Sequence, residues 1–263
     1  MRYYYREHIQ GYQRVKAEGK TAWHQIHNGR PFDEFASRAF LETALPRLSF
    51  AVSNPSALEI GCGTGVAACF LAERGFRVDG IDIIPTAIEI ARQVAAERGL
   101  DIHYEVQDIC ELTPEGKVYD LVVDSYCLQG IVLDEDRAKV FSNVRARLKP
   151  EGYYLVSTAI FDEGRLSAQT VRDKASGIVY HRYGENGIIN TDTAVVYIEL
   201  PEGRDEYEDA VTIQGTWYLP SRRHLKPPAL KVELERERFR VLYQDGGDVI
   251  CVHAAAGLRA IQP

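Results

Sequence analysis

The sequence predicts an α/β protein built on a doubly wound, mostly parallel sheet. Three observations carry this reading. Apolar, strand-like runs alternate with segments of helical period from 56 to 158. The first run enters Leu58-Glu59-Ile60-Gly61-Cys62-Gly63-Thr64-Gly65, a glycine-rich strand-to-helix turn of the kind that cradles nucleotides. The chain closes on two apolar runs joined by Gln244-Asp245-Gly246-Gly247, which is hairpin chemistry.

Taken in order, residues 1–50 read as helical and aromatic, with Tyr3, Tyr4, Tyr5, Tyr12, Trp23, Phe32, Phe35 and Phe40. Over 34–49, Phe35, Ala39, Leu41, Ala44 and Leu45 recur at helical spacing until Pro46 tends to end the segment. Ser56–Ile60 is the first strand. Gly65–Arg74 is a helix that Gly75 stops. Phe76–Ile83 is the second strand. Pro85 suits a first helical position, Ala87, Ala91, Val94 and Ala95 form the stripe behind it, and Gly99 stops that helix. Ile102–Val106 and Tyr119–Asp124 are strands three and four. Asp134 caps a helix with Phe141, Val144 and Leu148 as its inner stripe and Pro150 as its stop. Tyr153–Thr158 is strand five.

Past 160 the rhythm changes. Ile178–Tyr183, Ala194–Leu200 and Val211–Leu219 follow one another as strands without helices, an insertion of antiparallel character. A helix over 221–237 leads to Phe239–Tyr243 and Val249–His253. The expected organisation is a helical cap over 1–50, a nucleotide-binding core over 51–160, an inserted β lid over 161–220, and a helix with a hairpin over 221–263 that completes the core sheet.

Composition narrows the function classes. The 263 residues suit one large domain or a domain with an appendage. With 45% hydrophobic and 26% charged residues, the chain is ordinary for a soluble globular protein. No apolar run reaches the roughly 18 residues of a membrane span, and MRYYYREHIQ lacks the apolar core of a signal peptide. The expected setting is cytoplasmic. The cysteines (62, 69, 110, 127 and 251) contain no CxxC, which argues against a disulfide framework or a zinc site. The net charge of −7 disfavours nucleic acid as partner. The only compact basic stretch, Arg222, Arg223, His224 and Lys226, reads as a solvated helix start. Oligomeric state is not legible.

Gly61, Gly63 and Gly65 form G-x-G-x-G, with Val66 at the third position of the dinucleotide fingerprint, so a pyrophosphate is not the expected ligand. Three carboxylates accompany the loop. Glu59 lies just before Gly61. Asp82 closes the second strand, where a carboxylate can accept both hydroxyls of a ribose. Asp108 lies just past strand three, placed to accept from an adenine amino group.

Leu58–Gly65, Gly80-Ile81-Asp82-Ile83, Gln107-Asp108-Ile109, Tyr119-Asp120-Leu121-Val122-Val123-Asp124 and Leu148-Lys149-Pro150-Glu151-Gly152 together resemble the successive motifs of the class I S-adenosylmethionine-dependent methyltransferases. The resemblance implies a Rossmann-like, seven-stranded sheet whose last strand is antiparallel. It implies S-adenosylmethionine as cofactor and S-adenosylhomocysteine as product. By the same resemblance, backbone at Gly61, Cys62 and Gly63 approaches the amino acid and ribose, and the helix after Gly65 favours the carboxylate. Asp82 holds the ribose, Ile83 packs on the adenine, and Asp108 with the Ile109 backbone reads its edge. More loosely, Gly19-Lys20-Thr21-Ala22-Trp23 with Gly29-Arg30-Pro31 resembles the entry segment of thiopurine, halide and thiol methyltransferases, which implies that Trp23 lies by the cofactor.

The acceptor belongs beyond the strand ends, where strand four finishes in Asp124-Ser125-Tyr126-Cys127. This tip lacks the two prolines of base-amine methyltransferases and the Pro-Cys pair of cytosine-carbon methyltransferases. Asp124 is the nearest carboxylate, as base or as anchor of cofactor or strand end. Tyr126 is placed to orient an acceptor, and Cys127 reads as a small buried hydrophobe. His24 and His27 lack a third ligand, so no metal is expected; His27 stands as a candidate lid base. Tyr4, Tyr5, Trp23, Tyr180, Tyr183, Tyr197, Trp217 and Tyr218 of cap and lid are expected to line an aromatic acceptor pocket. The expected function is methyl transfer to an O, N or S atom of a small molecule by in-line displacement. The alternatives are a protein or RNA methyltransferase and a non-catalytic S-adenosylmethionine-binding protein.

Overall fold

The computed structural model describes residues 2–113, 115–200, 207–255 and 261. Three short helices open the chain: α1 (Tyr5–Ala17), α2 (Gln25–Asn28) and α3 (Arg38–Ala44). The alternating core follows, with β1 (Ser56–Ile60), α4 (Val66–Ala72), β2 (Arg77–Asp82), α5 (Pro85–Glu97), β3 (Ile102–Val106), β4 (Tyr119–Ser125), α6 (Asp134–Arg147) and β5 (Leu148–Ser157). An all-strand segment comprises β6 (Leu166–Arg172), β7 (Val179–Tyr183), β8 (Gly187–Asn190), β9 (Val195–Glu199), β10 (Val211–Ile213) and β11 (Thr216–Arg223). Then come α7 (Pro227–Arg236), β12 (Phe239–Asp245) and β13 (Asp248–His253).

Seven strands form the central sheet in the order β12-β13-β5-β4-β1-β2-β3. From β5 to β3 every pairing is parallel, and β13 runs antiparallel to both its neighbours. The last strand of the chain is thus the antiparallel one, and it lies second from the edge, between β5 and β12. Buried parallel strands read as continuous apolar runs because helices cover both faces. Every residue of β1 is buried accordingly. On one face Val122, Tyr154, Val140, Phe141 and Leu234 pack together; on the other, Leu121, Leu155, Ala67, Ile88 and Leu41. Burying each large apolar side chain is worth about 1.5–3 kcal/mol.

A second, antiparallel sheet has the order β10-β11-β9-β8-β7-β6. Here the structure corrects several expectations. Val211–Leu219 is a hairpin rather than one strand, because Gln214 and Gly215 adopt positive φ and turn the chain. β6 and β8 were not anticipated. β6 is largely exposed and carries no apolar run, and β8 is only four residues long. The helix expected over 221–237 starts at Pro227, since Arg222 and Arg223 still pair with β9. The basic stretch is therefore no solvated helix start. Arg222 pairs with Glu7, Arg223 with Asp134, and His224 is buried against Tyr183. Leu148, expected inside a helix, opens β5. The helix expected over 34–49 is only α3, followed by a 3-10 turn at Leu45–Arg47.

Buried polar contacts fasten the first residues to the core. The Tyr3 hydroxyl accepts from the Val132 amide at 2.7 Å and donates to Asp136 at 3.2 Å; Arg2 also pairs with Asp136. The loop after β4 is held from below. Arg137 forks onto both oxygens of Glu233 at 2.7 and 2.6 Å and donates to the Leu128 and Ile131 carbonyls.

Candidate functional site

A cavity of about 330 Å³ opens at the carboxyl ends of β1, β2 and β4, under α1. This is where a parallel sheet with a topological switch point binds ligands. Its floor is the glycine loop. Gly61 and Gly63 sit at φ 58° and 55°. A Cβ at Gly61 would lie 2.5 Å from the Cys127 sulfur, and one at Gly63 would lie 2.2 Å from the Tyr12 hydroxyl. Only glycine fits both the backbone conformation and the space. Gly65 opens α4, packs beneath Tyr104, and does not line the cavity.

The carboxylates around this loop have distinct tasks. Asp82, nearly buried, accepts from the Gly63 amide at 2.8 Å through one oxygen and from the Ile84 amide at 2.9 Å through the other. Burial raises its pKa, and the two amides pull it back down. A carboxylate offers about four acceptor sites, so two remain. Glu59 lines the cavity from β1, and its carboxylate accepts from the Ala68 amide at 2.6 Å. One amide at the start of α4, that of Ala68, is therefore already bonded to a carboxyl group. Burial pushes the Glu59 pKa well up. Asp108 accepts from the Cys110 amide and from the Tyr4 hydroxyl, each at 2.8 Å, and keeps an edge on the cavity. Ile83, Ile109 and Cys62 line the same space.

Asp124 is placed differently from expectation as a base. It is buried, does not line the cavity, and caps the turn after β4. Its oxygens accept from the Cys127 amide at 2.8 Å, the Leu128 amide at 3.2 Å and the Tyr154 hydroxyl at 3.4 Å. Burial pushes its pKa up to about 7 despite these donors. Asp124 thus anchors the strand end. Its neighbours Ser125, Tyr126 and Cys127 do reach the cavity. Tyr126 stands at φ 68°, strained for a residue with a side chain, and the residue is 36% exposed.

From the N-terminal segment, Trp23 reaches the cavity and packs edge-on to Tyr12 with ring centres 5.0 Å apart. His27 does not reach it: its side chain is exposed on α2. His24 and His8 do. Among the described residues no three His, Cys, Asp or Glu side chains cluster as metal ligands. The sequence reading missed His8, Tyr12 and Arg222. Tyr4, His8 and Tyr12 recur at i, i+4, i+8, one face of α1, and that periodicity was the available signal. The expected aromatic pocket is mostly not there. Tyr4 and Trp23 line the cavity, but Tyr180 and Tyr218 pack with Ile188 and Ile213 inside the second sheet. Tyr183 packs with Ile189 and Val196; Tyr5, Tyr197 and Trp217 pack against the main core. The second sheet contributes Arg222 to this cavity.

Comparison with known proteins agrees with this geometry. A family model described as a methyltransferase domain matches residues 57–152. A ubiquinone biosynthesis O-methyltransferase of Rickettsia conorii is 36% identical over 118 residues, covering 45% of this chain and 39% of that protein. The chain spans well under two thirds of the curated relatives it matches. Among solved structures, an S-adenosylmethionine-dependent methyltransferase from Clostridium acetobutylicum superposes with a TM-score of 0.58 at 14% identity, covering 91% of this chain and 97% of that one. The Burkholderia thailandensis 1,6-didemethyltoxoflavin-N1-methyltransferase, solved with bound 1,6-didemethyltoxoflavin and S-adenosylhomocysteine, gives 0.53 at 17% identity, covering 93% and 86%. At these identities the structural likeness speaks for the fold, and the family model speaks for the segment that it matches. Residues 57–152 match a methyltransferase domain, and the fold is that of solved S-adenosylmethionine-dependent methyltransferases.

Proposed function

We propose that this protein transfers a methyl group from S-adenosylmethionine to a small molecule, foremost to a hydroxyl oxygen. One observation carries the reading: a glycine loop braced by Asp82 shares a single cavity with the tip of β4 and the inner face of α1. The residues present fit the cofactor. Gly61 and Gly63 leave a cradle that a Cβ would fill, and Asp82 keeps two acceptor sites for a vicinal diol. Ile83 and Ile109 offer apolar faces for an adenine, and Asp108 an acceptor at its edge.

When bound, S-adenosylmethionine supplies a methyl group already activated on a sulfonium sulfur. What remains for the protein is to orient the partners and exclude water. Proximity and orientation can be worth roughly 7–11 kcal/mol. Trp23, Tyr12 and Tyr126 enclose the cavity, and the Arg222–Glu7 pair, 2.7 Å apart, ties β11 across α1. The O-methyltransferase names of the relatives support oxygen as acceptor. The five cysteines are unpaired and four are buried, which supports a reducing, cytoplasmic setting.

Calorimetry with S-adenosylmethionine, then S-adenosylhomocysteine release over a panel of small hydroxyl, amine and thiol compounds, tests the reading. Binding with methylated product in the hydroxyl set is expected. Binding without turnover of any member would overturn catalysis in favour of a sensor.

A further inference from the structure

Two cavities meet at His8. The larger is the one floored by the glycine loop. A smaller one, about 230 Å³, lies between α1 and strands β9 and β11, with Ile198, Leu200, Leu219 and Pro220 on its far wall. Tyr4, His8 and Arg222 line both. His8 therefore stands between the compartment floored by the glycine loop and a second compartment with an apolar wall.

Its protonation is set locally. The His8 Nδ1 lies 2.6 Å from the Tyr4 carbonyl oxygen. A carbonyl oxygen only accepts, so Nδ1 carries the hydrogen and Nε2 is left as a bare acceptor. The groups facing His8 come from every side. Glu7 and Tyr4 flank it on its own helix segment, and Arg222 reaches it from β11. Asp82 acts from the end of β2. Trp23 packs with its ring centre 5.6 Å away, and the Gly130 backbone approaches from the loop after β4. Burial first, then the Arg222 charge, lowers the pKa of His8; the Tyr4 carbonyl, Glu7 and Asp82 oppose them. The imidazole is thus neutral near neutral pH. Of the sequence-derived base candidates, Asp124 lies outside the cavity and His27 is exposed.

We propose that His8 Nε2 takes the proton of the acceptor hydroxyl, with the apolar part of the acceptor in the smaller cavity. This rests on the methyltransferase reading above. The hydroxyl oxygen forms the new bond to the methyl carbon as the carbon–sulfur bond breaks and its electron pair stays on sulfur. The O–H proton passes to Nε2. The products are a methyl ether, S-adenosylhomocysteine and a His8 imidazolium that returns its proton to solvent.

The test compares the full chain with His8→Gln, using catechol and 4-nitrocatechol as acceptors. The nitro compound has a far more acidic hydroxyl and needs less help from a base. His8→Gln is expected to lower kcat about 10²- to 10⁴-fold on catechol, but less than about tenfold on 4-nitrocatechol, and to erase the acid limb of the catechol pH profile. Equal losses on both acceptors overturn the proposal. Independently, ¹⁵N-histidine spectra of the unmodified protein with S-adenosylhomocysteine should show Nδ1 protonated and Nε2 bare at neutral pH; the opposite tautomer overturns it. Absence of turnover of both catechols by a protein that binds S-adenosylmethionine also overturns it. Failure to bind S-adenosylmethionine at all overturns the methyltransferase reading itself.

Discussion

Replacing Asp82 with asparagine separates two tasks that one carboxylate performs. In the free protein its two oxygens accept from the Gly63 and Ile84 amides. An asparagine has one carbonyl oxygen, and its NH2 group meets the second amide donor to donor. An unsatisfied buried donor costs about 1–3 kcal/mol, so Asp82→Asn should lose about that much stability. The remaining acceptor sites face the cavity, where an ionised acceptor is worth about 1.5–3 kcal/mol against ribose hydroxyls. Affinity for S-adenosylmethionine should therefore fall about 10- to 150-fold at 1.4 kcal/mol per decade. The pKa of Asp82 is raised by burial, so binding to the unmodified protein should weaken on acidification at a pH above the ordinary carboxylate range, and the variant should lack that dependence. Calorimetry across pH, paired with urea unfolding, measures both quantities. A folded Asp82→Asn protein with unchanged affinity and unchanged pH dependence would refute the assignment of this carboxylate to the cofactor.

Two further predictions concern buried groups outside the cavity. Asp124 has a folded pKa of about 7, above its unfolded value of 3.8, so between these values the native state binds the extra proton and stability falls as pH rises. Asp124→Asn should thus gain stability relative to the unmodified protein from pH 4 to 7, by up to about 4 kcal/mol at 1.36 kcal/mol per unit; denaturation curves with the same difference at both ends would contradict this. His224 has the opposite sign: burial, then the charges of Arg165 and Arg222, lower its pKa from 6.5 to about 4, so its contribution is fully present above pH 6.5 and lost as pH falls toward 4. The unmodified protein should lose up to about 3 kcal/mol over that window that His224→Gln does not lose, by unfolding at pH 7 and pH 4.5.

The sequence by itself determined the parallel core and the floor of the site. Helical stripes, glycine stops and buried apolar strands are local signals, and they located β1 to β5 and the loop at Gly61 and Gly63; strand ends pointed to Asp82 and Asp108, and the motif resemblance added Ile83 and Ile109, all of which line the cavity. The periods of 3.6 and 2 report which face is buried and say little about what lies against it. Partnership across long sequence separation was decided only by the tertiary structure. Asp124 and Tyr126 are two residues apart on one strand end, yet one is sealed under the turn and the other opens to the cavity. Tyr183 and Tyr218 look like Trp23 in composition, but they fill the interior of their own sheet while Trp23 borders the site. His8 resembles any helix-face histidine until α1 is laid across the sheet. Then the carbonyl one turn back, Arg222 from a strand more than two hundred residues away and the meeting of two cavities define its chemistry. Local order comes from the chain's own neighbours; a site comes from segments that only packing brings together.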